Sequence, residues 1–164
     1  MVGVPGAGKS TVARALAELL GVGFVDTDDL VELAAGKSVS DVFVQDGEAA
    51  FREFERVAVE QAAGMDAVVV ALGGGAVMDA DNRDWLSGIP TVWLQVSVDV
   101  AAKRVGLGVG RPMLLGGVRS RMVTMARERA PFYEEVATMT ISTDTDSPQQ
   151  VAAQIRELLA VRDD

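Results

Sequence analysis

Nine residues, Gly3-Val4-Pro5-Gly6-Ala7-Gly8-Lys9-Ser10-Thr11, fit the pattern G-x-x-x-x-G-K-[ST] of a phosphate-binding loop. Three glycines let the backbone curl until successive N–H groups face one concavity. With a helix N-terminus behind it, that concavity holds a polyphosphate. Gly6, Ala7, Gly8, Lys9, Ser10 and Thr11 are therefore candidate nucleotide contacts, with Lys9 aimed at the β- and γ-phosphates and the Ser10 hydroxyl at Mg²⁺. The plainer reading is a glycine-rich turn before an ordinary helix. Against it, residues 10–20 carry the helical periodicity that the motif requires.

Three further stretches could do chemistry. Asp26-Thr27-Asp28 sets two carboxylates one residue apart at the end of the short apolar run Phe24-Val25. In open α/β sheets ligands bind at that end of a strand, although Asp28 or Thr27 could equally cap a helix over 29–35. Gly73-Gly74-Gly75 follows the Val-rich run 67–72 directly. Such a run means close backbone approach or positive φ, unless it is simply a flexible turn. Arg111-Pro112 lies within residues 106–118, which hold five glycines. A glycine-flanked loop with one arginine suits a lid over a substrate, or else a disordered surface loop. On spacing alone, Arg52 reads as a solvated helix residue paired with Glu55 at i,i+3.

Composition narrows the classes. The chain of 164 residues fits one domain spanning 1–164, and 49% apolar content supports a real core. There is no cysteine, so disulfides and thiolate metal sites are excluded. Histidine is absent too, so acid–base work falls to Asp, Glu, Lys or Tyr. A net charge of −9 with no basic cluster disfavours nucleic acid and anionic membranes as partners. No run approaches a membrane span and no signal peptide is visible, so a cytoplasmic protein is expected.

The elements that must position these residues alternate along the chain. Only Met1 and Val2 precede Gly3, where a buried strand of about five residues normally stands. The central strand is thus expected to be truncated, through an upstream start or real shortening. Apolar runs at 24–25, 67–72, 91–95 and 138–142 read as strands. Helices are expected at 10–20, 29–35, a short stretch after Ser38, 47–63 with Phe51, Phe54 and Val57-Ala58 inward, 79–87, 98–105, 119–129 ending at Ala130-Pro131 with a short helical turn continuing at Phe132-Tyr133, and 148–161. This alternation predicts an α/β fold with a parallel sheet covered on both faces.

No D-x-x-G and N-K-x-D pair follows the loop, which argues against a GTPase switch, and a small phosphate-loop protein with a lid suits a small-molecule kinase. The chain resembles shikimate kinase, of the nucleoside monophosphate kinase-like group. The resemblance rests on the phosphate loop, Asp26-Thr27-Asp28, Asp46-Gly47-Glu48 with Phe51-Arg52 and Glu55, Leu72-Gly73-Gly74-Gly75, Arg111-Pro112-Met113-Leu114 and Arg129-Ala130-Pro131-Phe132-Tyr133. It implies transfer of the ATP γ-phosphate to the 3-hydroxyl of shikimate by a monomer using Mg²⁺. The implied fold is a three-layer sandwich on a five-stranded parallel sheet of order 2-3-1-4-5, with a lid at about 106–118 and a substrate-binding helical region.

The resemblance also assigns roles. Asp26 joins Ser10 at Mg²⁺. Asp28 contacts the shikimate hydroxyls and accepts the attacking proton. Arg52 and Arg129 grip the shikimate carboxylate, and Glu55 orients the arginine. Gly73, Gly74 and Gly75 bring backbone to the substrate. Arg111 stands beside the transferring phosphoryl group, and Arg104 and Pro148 flank adenine. The chain departs from the family in its near-absent first strand and in a lid without polar residues before Arg111. A gluconate kinase of the same group and a catalytically silent nucleotide-binding protein are the rival readings.

Overall fold

The computed structural model describes residues 1–105 and 112–162. The phosphate loop ends at Gly8, whose positive φ of 86° no side-chain-bearing residue adopts readily. From there α1 (Lys9–Leu20) buries Val12, Ala13, Leu16 and Ala17, and Gly21 ends it in the left-handed conformation.

Four strands form two parallel pairs. In one, β1 (Gly23–Asp26) runs beside β2 (Val68–Ala71) with Gly23 opposite Val68. In the other, β3 (Val92–Gln95) runs beside β4 (Met139–Ser142) with Val92 opposite Met139. One five-stranded sheet was expected, whereas two two-stranded sheets are observed. The reason is local. Met1 and Val2 lie between the pairs, but two residues make a single bridge, Val2 to Trp93, and not a ladder. The Met1 carbonyl accepts from the Leu72 amide at 3.1 Å, the Val2 amide donates to Val92 O at 2.9 Å, and the Leu94 amide donates to Val2 O at 2.9 Å.

Below Met1 an apolar cavity of about 280 Å³ opens between Leu16, Val59, Val70, Leu86, Val92 and Ile155. The Met1 amine is buried and donates to Val70 O at 2.5 Å. Burial lowers its pKa to about 5, with Lys9 adding to the effect against Asp26, so the amine is neutral at pH 7.

Alternate strand residues feed two cores, as the two-residue period of a strand dictates. Leu94, Ile141 and Ala71 join Val12 and Leu16 of α1 and Val151 and Ile155 of α8 (Pro148–Arg162). Trp93, Val70 and neighbouring Leu72 join Val59, Leu86 and Tyr133. These last come from α4 (Gly47–Ala63), α5 (Ala80–Leu86) and α7 (Pro112–Val136). A third cluster joins Val31 of α2 (Thr27–Ala35), Val42 of α3 (Val39–Gln45) and Phe51 and Ala58 of α4. Between β3 and the 106–111 stretch runs α6 (Val98–Arg104).

Several boundaries differ from expectation. α2 begins at Thr27 and not at residue 29, because the Asp26 side chain accepts the Asp28 amide and caps it. Residues 112–118 of the expected lid belong to α7, while 106–111, with Arg111, lie outside the described residues. α7 also continues through Pro131 to Val136. A proline within a helix removes one hydrogen bond, yet the turn beyond it buries Tyr133 and Val136, and that burial offsets the loss. On α4, Val57 is 50% exposed where an inward face was expected, and Glu55 is 2% exposed where an outward one was.

Candidate functional site

The site has a nucleotide half and an acceptor half. The nucleotide half is an open cavity of about 480 Å³ lined by Gly6, Ala7, Gly8, Lys9, Ser10 and Thr11, with Arg104, Thr143, Asp146 and Pro148 facing them. A side chain at Gly6 would meet the Ala101 backbone at 2.7 Å, so α6 itself backs the loop. Ser10 Oγ donates to Asp26 Oδ2 at 2.5 Å. A hydroxyl and a carboxylate oxygen side by side are the hard donors that Mg²⁺ takes alongside substrate phosphates. They meet because Asp26 ends β1 where α1 begins.

Lys9 Nζ donates to Val4 O at 3.2 Å. Burial lowers its pKa from 10.5 to about 8, against the pull of the Asp28 and Asp26 carboxylates, and Arg129 lowers it further. Lys9, Asp26, Asp28 and Arg129 therefore share one electrostatic neighbourhood.

The acceptor half converges on the Gly73-Gly74-Gly75 turn. A Cβ at Gly73 would stand 2.7 Å from Glu55 Oε1 and 3.0 Å from Asp28 Oδ1. One at Gly74 would stand 3.2 Å from Pro5 of the phosphate loop and 3.4 Å from an Arg129 guanidinium nitrogen. One at Gly75 would stand 2.5 Å from the Arg52 guanidinium. None of the three adopts positive φ, so close approach, and not backbone conformation, is what requires glycine. The turn is anchored by the Gly73 amide donating to Thr27 Oγ1 at 2.9 Å.

Arg52 is no solvated helix residue. Its guanidinium donates to the buried Glu55 at 2.6 Å and to Glu48 at 3.2 Å. Burial works against its charge, but the bonds and charge of Glu55 and Glu48 outweigh that and raise its pKa. Burial raises the Glu55 pKa in turn, opposed by Arg52. Asp28 is exposed as a residue, yet the desolvation of its carboxyl, with Asp26 close by, raises its pKa. A raised carboxylate pKa improves a general base working near neutral pH.

The fold thus brings Lys9, Ser10, Asp26, Asp28, Arg52, Gly73, Gly74, Gly75 and Arg129 to one end of the strands, with Arg104 and Pro148 at the far wall of the nucleotide cavity. Two residues escaped sequence reasoning. Buried Thr143 has its hydroxyl 3.0 Å from Ala7 O and 3.2 Å from Gln95 O, and accepts from Arg104 at 3.1 Å. Arg104 also donates to the Thr143 carbonyl, and to Gly6 O at 3.3 Å. Tyr133, buried to 1% exposure, donates to Gly74 O at 2.6 Å. Thr143 carried no sequence signal, whereas Tyr133 stood in a quoted motif without a role.

Comparison with known proteins gives one answer. The family model for shikimate kinase matches residues 5–160. Shikimate kinase of Thermobifida fusca is 51% identical over 164 residues, covering 99% of this chain and 95% of its own. That of Salinispora tropica is 48% identical over 159 residues, covering 97% and 95%. Among solved structures, shikimate kinase from Acinetobacter baumannii in complex with shikimate matches with a TM-score of 0.90 at 34% identity, covering 98% of this chain and 92% of that one.

Proposed function

The chain belongs to the shikimate kinase family, and from that premise we propose how its own residues divide the work of the reaction. It transfers the γ-phosphate of ATP to the 3-hydroxyl of shikimate, giving shikimate 3-phosphate and ADP, with Mg²⁺, in aromatic amino-acid biosynthesis.

The observation that carries the division is the glycine turn. It touches Arg52, Arg129 and Asp28 on one side and Pro5 of the phosphate loop on the other. An acceptor lying on the turn is therefore next to the nucleotide. Arg52 and Arg129 grip the shikimate carboxylate with charge-assisted hydrogen bonds. Glu55 holds Arg52 in place. Asp28 orients the attacking hydroxyl and takes its proton as the oxygen bonds to phosphorus. In a loose transition state that positioning matters more than base strength. Lys9 and the amides of residues 6–11 neutralise the charge on the phosphates, and Ser10 with Asp26 would hold Mg²⁺. When bound, Mg²⁺ draws negative charge from the β- and γ-phosphate oxygens. Arg104 and Pro148 line the adenine side. Arg111, which lies outside the described residues, would supply a further cation to the phosphates.

Four wider readings go with this. The two strand pairs are halves of one parallel sheet of order 2-3-1-4-5, with Met1–Val2 in the middle place; the hydrogen bonds from Met1 to Leu72 and from Val2 to Val92 and Leu94 support it. The sheet is the middle layer of a three-layer sandwich that makes 1–164 one domain. A monomer suffices, since one chain carries every residue named. The biosynthetic role of the family supports a cytoplasmic location, and no helix among the described residues is long and apolar enough to cross a membrane.

The test is ADP release from purified protein with Mg-ATP, with and without shikimate. Release that depends on shikimate is expected. A rate unchanged by shikimate would overturn the assignment of the acceptor half.

A further inference from the structure

We infer that Tyr133 is a positioning residue for the acceptor, acting through the backbone of the glycine turn. The inference rests on the reading of that turn as the floor of the acceptor site. Three bonds fix the turn by its carbonyls. Gly73 O accepts from the Ala76 amide at 3.0 Å and Gly75 O from the Met78 amide at 2.9 Å, both within a few residues. Only Gly74 O is held from a distance, by the Tyr133 hydroxyl at 2.6 Å.

That bond sets a direction. All peptide bonds among the described residues are trans. In a trans peptide the C=O of one residue and the N–H of the next lie in one plane and point opposite ways. Holding Gly74 O toward α7 therefore holds the Gly75 N–H away from α7. Gly75 is the residue packed on the Arg52 guanidinium. Neither the Gly74 nor the Gly75 amide has a partner among the described residues. The Gly75 N–H is thus a donor offered on the acceptor side, and Tyr133 sets its aim.

The same helix ties this aim to the arginine clamp. Arg129 and Tyr133 stand four apart on α7, hence on one face. The Arg129 guanidinium acts electrostatically on the Tyr133 phenol, opposing the rise in its pKa that burial causes, and also lies 3.4 Å from where a Gly74 Cβ would stand. Tyr133 is itself immobilised, buried among Leu72, Val77 and Val136, with its ring 5.7 Å from that of Trp93. The hydroxyl and the arginine therefore meet the turn at the same residue, Gly74. A purely structural tyrosine would need the ring and not the hydroxyl.

Tyr133→Phe separates the two, since it keeps the ring and its packing. The expected result is a rise of about 3- to 10-fold in KM for shikimate, the loss of one hydrogen bond's worth of alignment, with KM for ATP within twofold of wild type and the thermal midpoint little changed. An unchanged KM for shikimate would overturn the inference. So would both KM values rising together with a fall in thermal midpoint. A second measurement needs no variant: in glycine-¹⁵N-labelled wild-type protein, shikimate alone should shift the Gly75 amide resonance strongly, and an unmoved resonance at saturating shikimate would also overturn it. Wild-type protein lacking shikimate-dependent ADP release would remove the reading beneath. Active wild type with an unaltered Tyr133→Phe would remove only the role of Tyr133.

Discussion

The two halves of the site are built in different ways. The nucleotide half is built around one unbroken segment, residues 3–11, with Arg104, Thr143, Asp146 and Pro148 closing it from the facing wall, and its proposed work falls mainly to backbone amides at a helix start. The acceptor half is assembled from α2, α4, the turn after β2 and α7, and works through side-chain charges that meet only when all four pack. A contiguous nest carries most of its geometry in its own backbone, steadied by Arg104 on Gly6 O and Thr143 on Ala7 O. A clamp made from four elements depends on every contact that sets their separation. The glycine turn joins the halves, because it touches Pro5 and the two arginines at once.

If the halves are independent in this way, single substitutions should fall on one side or the other. The largest effect is expected at Lys9. Lys9→Ala removes the cation proposed to face the β- and γ-phosphates and should lower kcat by about 10²- to 10³-fold, while shikimate binding, read by titration calorimetry, stays near wild type. The fold should survive, since the change deletes a buried amine. Near-normal turnover would break the nucleotide half as drawn. The next largest is expected at Arg129, where Arg129→Ala removes the charge-assisted bonds proposed to hold the shikimate carboxylate. KM for shikimate should rise by about 10- to 100-fold, with KM for ATP within about threefold. A larger change for ATP would show that Arg129 belongs to the phosphates and that the halves are drawn in the wrong place.

The same difference governs what the amino-acid sequence discloses. A contiguous motif carries its geometry in its own spacing, so residues 3–11 were legible, and so were the helix starts at Ser38 and Ser147 and the helix end at Gly36. The acceptor half was legible only through resemblance. Spacing made Arg52 a surface residue, because i,i+3 pairing with Glu55 looks the same exposed or buried, and nothing local says that Glu55 is sealed beneath Gly73. Glycine pointed to close approach or to positive φ. Only the packing decides for close approach at 73–75, for positive φ at Gly8 and for both at Gly6. Pro131 misled in part for a related reason: local propensity ends the helix there with only a short turn beyond, whereas the burial of Tyr133 and Val136, a long-range contact, carries one unbroken helix to Val136. Thr143 shows the limit most plainly, since its bond to Ala7 joins residues 136 apart in the chain.

pH separates the halves a third way, with the smallest effect near neutrality. Lys9 has its pKa lowered from 10.5 to about 8 by burial, whereas Arg52 has its pKa raised and stays charged throughout. Below pH 8 Lys9 carries the charge that polyphosphate needs. Above it, binding ATP must first restore a proton, so apparent ATP affinity should fall by up to about tenfold per pH unit. KM for shikimate should stay flat over pH 7.5 to 9.5. In free protein the same lysine acts with the opposite sign. Between about pH 8 and 10.5 the unfolded chain binds the proton more fully than the native state, so the Lys9 contribution to stability rises with pH. Nucleotide affinity and intrinsic stability are thus expected to diverge across one window. Lys9→Arg, which keeps its charge there, should flatten the pH dependence of KM for ATP. If that slope persists in the variant, the titrating group is not Lys9, and the pH-sensitive part of the site lies outside the phosphate loop.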